Sequence, residues 1–289
     1  MGSEISSAVN SWYRTERRDL PWRREGFSAW GTLVSEFMLQ QTPVSRVISR
    51  LDEWLTRWPT PGDLASVPPG EAVRAWKSLG YPRRALRLHE AATTIAHDYD
   101  GVVPSDVEVL LTLPGVGDYT ARAVAVFAYG VRHPVVDTNT RRVIARACNG
   151  EGEAPPATTK RELAAMSALL PEEAREAAEF NAGMMELGAI VCTARSPRCG
   201  ECPLRNQCAW RSSGYPPYAG PRRAVQKKYE GSDRQVRGLI LAELRALHRP
   251  MSAIEVEKIW PDQTQRERAL SGLIRDGLAS RGPDGYSLP

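Results

Sequence analysis

The chain has 289 residues, 42% of them hydrophobic and 25% charged, and a net charge of +4. That length holds one large domain or two to three small ones, with ample material for a core. Arg, Glu or Asp interrupts every apolar run early, which argues against a membrane span. Residues 1–14 lack the apolar stretch of a secretory signal, so a cytoplasmic protein is expected.

Pro and Gly punctuate the chain into short helical windows. Residues 8–25 begin with an amphipathic segment (Val9, Trp12, Tyr13) and run into Leu20-Pro-Trp-Arg23, where Pro21 leaves Trp22 and Arg23 on a loop. Ser28 is placed to cap the next helix. That helix carries Trp30, Leu33, Val34, Phe37 and Met38 on one face, with Glu36 about 60° off the stripe at about 100° per residue. Glu36 is thus expected neither at the centre of the core nor opposite it. Gln41-Thr-Pro43 ends this helix. Further helices are expected over 45–58, 60–67, 69–79, 83–98 and 106–113, near 140–148, and over 159–170, 171–177 and 180–187. No window sustains period-2 alternation, so the region reads as all-α. Residues 209–230, rich in Pro, Gly, Ser and basic side chains, read as a linker. Three helices (233–248, 252–260, 263–278) and a strand pair around 282–285 then suggest a winged-helix-like module.

One stretch organises the rest. In Leu113-Pro-Gly-Val-Gly-Asp-Tyr-Thr-Ala121, Pro114 stops one helix, and Gly115 and Gly117 are expected to take backbone conformations that a side chain forbids. A helix over 119–129 follows, closed by Gly130. Such a turn at a helix N-terminus presents amides able to bind phosphate. Shortly downstream lies a lone carboxylate, Asp137, in the apolar, uncharged segment Val135-Val-Asp-Thr-Asn139. Read alone, Asp137 is equally an N-cap for the helix behind it.

Four of five cysteines fall within 17 residues: Cys192, Cys199, Cys202 and Cys208. A reducing compartment disfavours disulfides. Zinc sites usually pair two Cys-x2-4-Cys knuckles across a longer span, whereas here one Cys-x2-Cys has outer gaps of six and five. A compact loop of that kind suits an iron–sulfur cubane, with zinc the alternative. Cys148, far off in sequence, is expected to be a buried core thiol. Between 192 and 228 stand eight Arg and Lys residues against Glu201 alone. This block suits a polyanion such as nucleic acid, or is a solvated basic linker.

These motifs resemble, in order and spacing, the helix-hairpin-helix DNA glycosylases that carry an iron–sulfur cluster, and within them the adenine-specific, MutY-like branch. They are Leu20-Pro-Trp-Arg23, Val34-Ser-Glu-Phe-Met-Leu-Gln-Gln-Thr42, Leu79-Gly-Tyr81, Leu113-Pro-Gly-Val-Gly117, Val136-Asp-Thr-Asn139, Met184-Met-Glu-Leu-Gly188 and the cysteine loop. The resemblance spans residues 7–215. It implies a mainly α, two-lobed fold: a six-helix barrel over 26–133 and a cluster lobe from 1–25 plus 134–215; the linker, over 216–232, and the winged-helix-like C-terminal module, over 233–289, rest on the sequence pattern alone. It favours a [4Fe–4S] cluster over zinc. It implies a monomer acting on mismatched double-stranded DNA, with the target base flipped into a pocket.

The resemblance also assigns roles. Glu36 would protonate adenine and then activate water, Asp137 would stabilise the sugar cation, and Asn139 would orient Asp137 or water. Trp22, Arg23 and Glu186 would line the base pocket. Gly115, Gly117, Arg195 and Arg198 would hold phosphates, and Gln41 would wedge into the duplex. Tyr119 stands where the lyase branch carries a Schiff-base Lys, and Lys is absent from 78–159, so a monofunctional enzyme is expected. The expected activity is removal of adenine opposite 8-oxoguanine or G. The rivals are a glycosylase for T or U opposite G, and a non-catalytic DNA-binding protein. Two departures stand out. Residues 229–289 are too short for the Nudix-like domain usual in this branch, and Pro82 sits where many members place a second, wedging Tyr.

Overall fold

A computed structural model describes residues 2–155, 160–220 and 228–289. In chain order its helices are α1 (Gly2–Glu16), α2 (Ala29–Leu39), α3 (Val44–Arg57), α4 (Pro61–Ala65), α5 (Pro69–Trp76), α6 (Arg83–Asp98), α7 (Val107–Thr112), α8 (Asp118–Tyr129), α9 (Thr138–Ala147), α10 (Lys160–Leu169), α11 (Ala174–Ile190), α12 (Ala209–Ser212), α13 (Asp233–Ala246), α14 (Ala253–Ile259) and α15 (Gln263–Arg275). An antiparallel hairpin follows, β1 (Ser280–Gly282) with β2 (Gly285–Ser287). No helix among the described residues is long and apolar enough to cross a membrane. Arg222, Arg223 and Lys227 of the basic block lie outside the described residues, as does the expected helix start at Thr159.

Local chemistry explains the boundaries. Thr60 and Asp63 form a reciprocal capping box ahead of α4, with Pro61 at its first position. Ser252 and Glu255 do the same for α14. The Asp262 side chain accepts from the Gln265 amide at the start of α15. Gly130, at φ +68°, closes α8 in the left-handed conformation.

By their contacts the residues form two compact units. The first comprises 1–29, 105–111 and 116–224; the second comprises 30–104, 112–115 and 225–289. In the first unit, Ile5 and Val9 of α1 join Val143 and Ile144 of α9, Met166 of α10, and Phe180, Met184 and Leu187 of α11 in one apolar core. Residues 174–190 form a single helix where two were expected, over 171–177 and 180–187. Nothing between Ala177 and Phe180 breaks a helix, and Gly183 serves close packing instead. A Cβ there would lie 2.7 Å from Val9 Cγ1. Cys148 is exposed rather than buried, because α9 ends just before it. The expected linker also begins with structure: Trp210 of α12 donates to Pro216 O at 2.8 Å and meets Tyr215 edge-to-face.

In the second unit, α2 corrects the single-face expectation. Every residue from Trp30 to Met38 is buried, Glu36 included at 5% exposure. A helix buried nearly all round carries no solvent-facing stripe. Trp54 packs edge-on against both Trp58 and Trp76. The C-terminal residues belong to this unit. Arg245 of α13 donates to Val73 O at 2.9 Å and Lys77 O at 2.6 Å, closing the C-terminal end of α5. The Gly70 amide, at the N-terminal end of α5, bonds to Pro289 O at 2.9 Å.

The two turn glycines differ. Gly115 sits at φ +80°, and a Cβ there would lie 2.6 Å from Arg87 Cβ and 3.0 Å from the Phe37 ring. Gly117 is the extended N-cap of α8, at φ −101°, with open space around it, so the expectation that both need a forbidden conformation holds for Gly115 alone. Gly115→Ala is expected to destabilise the protein by about 2–3 kcal/mol, from positive-φ strain plus overpacking. Gly117→Ala is expected to cost less than about 1 kcal/mol. Urea unfolding of both variants against wild type tests the contrast.

Candidate active site

Asp137 caps α9. Its Oδ1 accepts from the Asn139 and Thr140 amides at 2.9 and 2.7 Å, and its Oδ2 accepts from Asn139 Nδ2 at 2.8 Å. All these donors are neutral. Burial pushes the carboxyl above the ordinary Asp range, and the hydrogen bonds from Thr140 and Asn139 only partly offset it. The capping and reactive readings of Asp137 are therefore compatible, since Oδ1 holds the helix start while each of these hydrogen bonds comes from a neutral donor, with Arg142 acting only at a distance.

A line of contacts runs from Asp137 to the cysteine loop. Asn139 Oδ1 accepts from Arg142 Nη2 at 2.8 Å, and the same guanidinium reaches Gly188 O at 2.6 Å and Cys192 O at 2.7 Å. Gly188 is required there, because a Cβ would lie 2.7 Å from Asn139 Cβ. The segment entering the site is pinned by Asn181, wholly buried in α11. It accepts from the Val135 amide at 2.7 Å and donates to His133 O at 3.0 Å. Sequence reasoning missed Arg142 and Asn181. The available signal for Asn181 was a polar residue in the otherwise apolar run around Phe180 and Met184.

The four cysteines line one small cavity with Arg146 and Trp210. Among the described residues, no three potential ligands converge closely enough for a single metal ion. Four thiols drawn from one compact loop onto a single cavity suit an iron–sulfur cluster. Burial pushes the Cys202 thiol up to about 11. Arg146 adds positive charge, with Nη1 3.4 Å from Cys192 Sγ. It also donates to Gly152 O, Thr193 O and Ala194 O, and lies 4.5 Å over the Trp210 ring. The donor set thus fits the expected [4Fe–4S] group.

Glu186 lies at 1% exposure in α11, below residues 18–23. Arg18 donates to it through Nε at 2.8 Å and Nη2 at 2.7 Å, its backbone amide at 3.0 Å, and Arg23 through Nη2 at 2.8 Å. Burial alone would raise this carboxyl, but the bonds from Arg18 and Arg23 outweigh it and hold it down at about 2. Arg18 was not foreseen. Trp22 is half-buried on the adjoining turn. Of the expected phosphate contacts, Arg195 is exposed, and Arg198 pairs with Glu201 at 2.6 Å while donating to Ile190 O at 2.8 Å. Tyr119 is half-buried at the start of α8, beside the core of Ala123, Val126 and Val135. In the second unit, Glu36 is buried in α2, and Gln41 is exposed just beyond its end at φ +55°.

Comparison with known proteins adds to this geometry. Residues 34–168 match the HhH-GPD superfamily of base excision DNA repair proteins, and residues 192–208 match the iron–sulfur binding domain of endonuclease III. An adenine DNA glycosylase of Mycobacterium tuberculosis is 55% identical over 281 residues, covering 96% of this chain and 91% of the relative. The human adenine DNA glycosylase is 41% identical over 210 residues, 70% of this chain and 38% of the relative. A solved thermostable thymine-DNA glycosylase superposes with a TM-score of 0.67 at 30% identity, covering 73% of this chain and 97% of that one.

The Glu186 cluster generates a stability prediction. Glu186→Gln leaves the Arg18 and Arg23 guanidinium groups without their anion, and is expected to cost about 3–5 kcal/mol at pH 7. The folded value lies below the unfolded one, so the wild-type contribution is complete above the ordinary carboxylate range. It is lost as pH falls towards about 2. Denaturation curves at pH 7 and pH 3 should show the wild-type advantage shrinking at the lower pH.

Proposed function

The chain belongs to the adenine DNA glycosylase family, within the HhH-GPD superfamily of base excision DNA repair proteins, and on that premise we propose that it excises adenine mispaired with 8-oxoguanine or G from double-stranded DNA. The observation that carries the reading is Asp137, a desolvated carboxylate with neutral partners, fixed at the start of a helix. A fixed anion bonded only to neutral donors suits a sugar cation that forms as the glycosidic bond breaks.

The residues divide the work as follows. The flipped adenine leaves readily only when a ring nitrogen is protonated. Glu36, buried in an apolar helix, supplies that proton. The bond between sugar and base breaks with its electron pair leaving on adenine. The Asp137 carboxylate stabilises the positive sugar. Water then adds to the anomeric carbon and returns its proton to Glu36. Asn139 holds Asp137 in place and is itself held by Arg142. Cys192, Cys199, Cys202 and Cys208 would hold the [4Fe–4S] cluster as thiolates, and the loop that carries them is tied to Arg142 and Arg146 through Cys192. Exposed Arg195, the open space at Gly117 and the α8 N-terminus offer phosphate contacts. With Tyr119 in place of a Schiff-base Lys, the enzyme does not cleave the strand.

A panel of fluorescent duplexes with A opposite 8-oxoguanine, A opposite G, T opposite G and U opposite G tests the reading. Excision is expected from the first two only, with no borohydride-trapped adduct. Release of T or U instead of A would move the chain to the thymine-specific branch that its structural neighbour represents. Glu36→Gln is expected to abolish excision while duplex binding persists in a gel-shift assay.

Asp137 gives a second prediction. Its folded value is raised, so ionisation at neutral pH costs stability: the favourable state is the protonated one, and the advantage is lost as pH rises through that value. Asp137→Asn removes the buried charge and keeps a competent cap. It is expected to raise the melting temperature by about 2–4 °C while eliminating single-turnover excision.

A further inference from the structure

One buried cation in the second unit serves no role assigned so far. Arg84, in the first turn of α6, is 9% exposed. Its Nη1 donates to Phe37 O at 2.7 Å, Met38 O at 3.1 Å and Gln40 O at 2.6 Å. Its Nη2 donates to Thr42 Oγ1 at 2.9 Å, Leu79 O at 3.3 Å and Gly80 O at 3.0 Å. Its Nε reaches Tyr81 O at 3.4 Å. The guanidinium lies 5.2 Å from the Trp76 ring and 5.5 Å from the Tyr81 ring. Every acceptor comes from one of two turns, 37–42 and 79–81. Thr42 Oγ1 also bonds to Leu79 O at 3.1 Å, tying the turns directly.

Each turn displays one exposed residue in a conformation that side chains disfavour. Gln41 sits at φ +55° and Tyr81 at φ +46°, and Tyr81 is 51% exposed. Such residues are strained and persist only where the surroundings over-determine them. Arg84 supplies that determination to both at once, through a planar fork of five donors.

We propose that Arg84 is a positioning residue that sets Gln41 and Tyr81 as a rigid pair for unstacking the duplex around the target base. The inference rests on the DNA-glycosylase reading and names the element that makes base extrusion possible. Lys in place of Arg84 keeps the charge but lacks the fork, so it cannot hold both turns. Thr42→Val removes one tie between the turns while conserving shape.

The test uses a duplex with 2-aminopurine stacked beside an adenine opposite 8-oxoguanine, at saturating full-length protein. Fluorescence reports unstacking on binding, independently of excision. Wild type is expected to raise the signal severalfold. Arg84→Lys is expected to give less than a third of that rise, and Thr42→Val an intermediate one, with gel-shift affinities within threefold of wild type. A full rise with Arg84→Lys, or no rise with wild type, overturns the proposal. If Arg84→Lys does not melt cooperatively, Thr42→Val decides, and an unchanged rise there overturns it. Adenine release, followed in the same samples, reports on the glycosylase reading separately: unstacking without release sinks that reading and leaves the Arg84 assignment standing.

Discussion

The structure depends on how its helix ends are satisfied. A chain of short helices leaves up to four carbonyls without partners at every C-terminus, and burying them without donors is costly. Here arginine fills much of that need. Arg84 closes the end of α2 and Arg245 the end of α5, and Arg132 ties the turn after α10 through Leu170 O and Pro171 O. Arg142 closes α11 through Gly188 O, and Arg146 ties the strand of chain that follows it. A guanidinium suits this task because its donors lie in one plane and it carries charge at the negative end of the helix dipole. The imbalance of 33 Arg against 5 Lys thus has an inward purpose besides any contact with phosphate.

Motifs defined by backbone chemistry could be read directly from the sequence. Gly130 ends α8, Asp137 caps α9, and the four cysteines share one cavity. Burial of long polar side chains could not be read, because it is decided by partners distant in sequence. Arg84 meets carbonyls more than forty residues away, and Arg18 meets Glu186 at a separation of 168. Periodicity placed Glu36 at the edge of a stripe. In the structure every residue from Trp30 to Met38 is buried, which partners distant in sequence determine. The same limit applies to 171–187, where local punctuation suggested two helices and packing of Gly183 against α1 sustains one.

The first unit contains two carboxylates at the motifs, and their electrostatics are opposite. Glu186 has two guanidinium partners, which hold it low, at about 2, as an anion. Its charge is spent on anchoring residues 18–23 to α11. Asp137 is desolvated too, but its partners are amides and a carboxamide, and its value rises. An arginine placed directly on Asp137 would stabilise the fold and quench the field that a sugar cation needs. The chain instead sets Arg142 one residue removed, behind Asn139, where it fixes orientation through a neutral intermediary. Separating the orienting cation from the reactive anion keeps Asp137 immobile and still unneutralised, at a cost in stability confined to one buried charge.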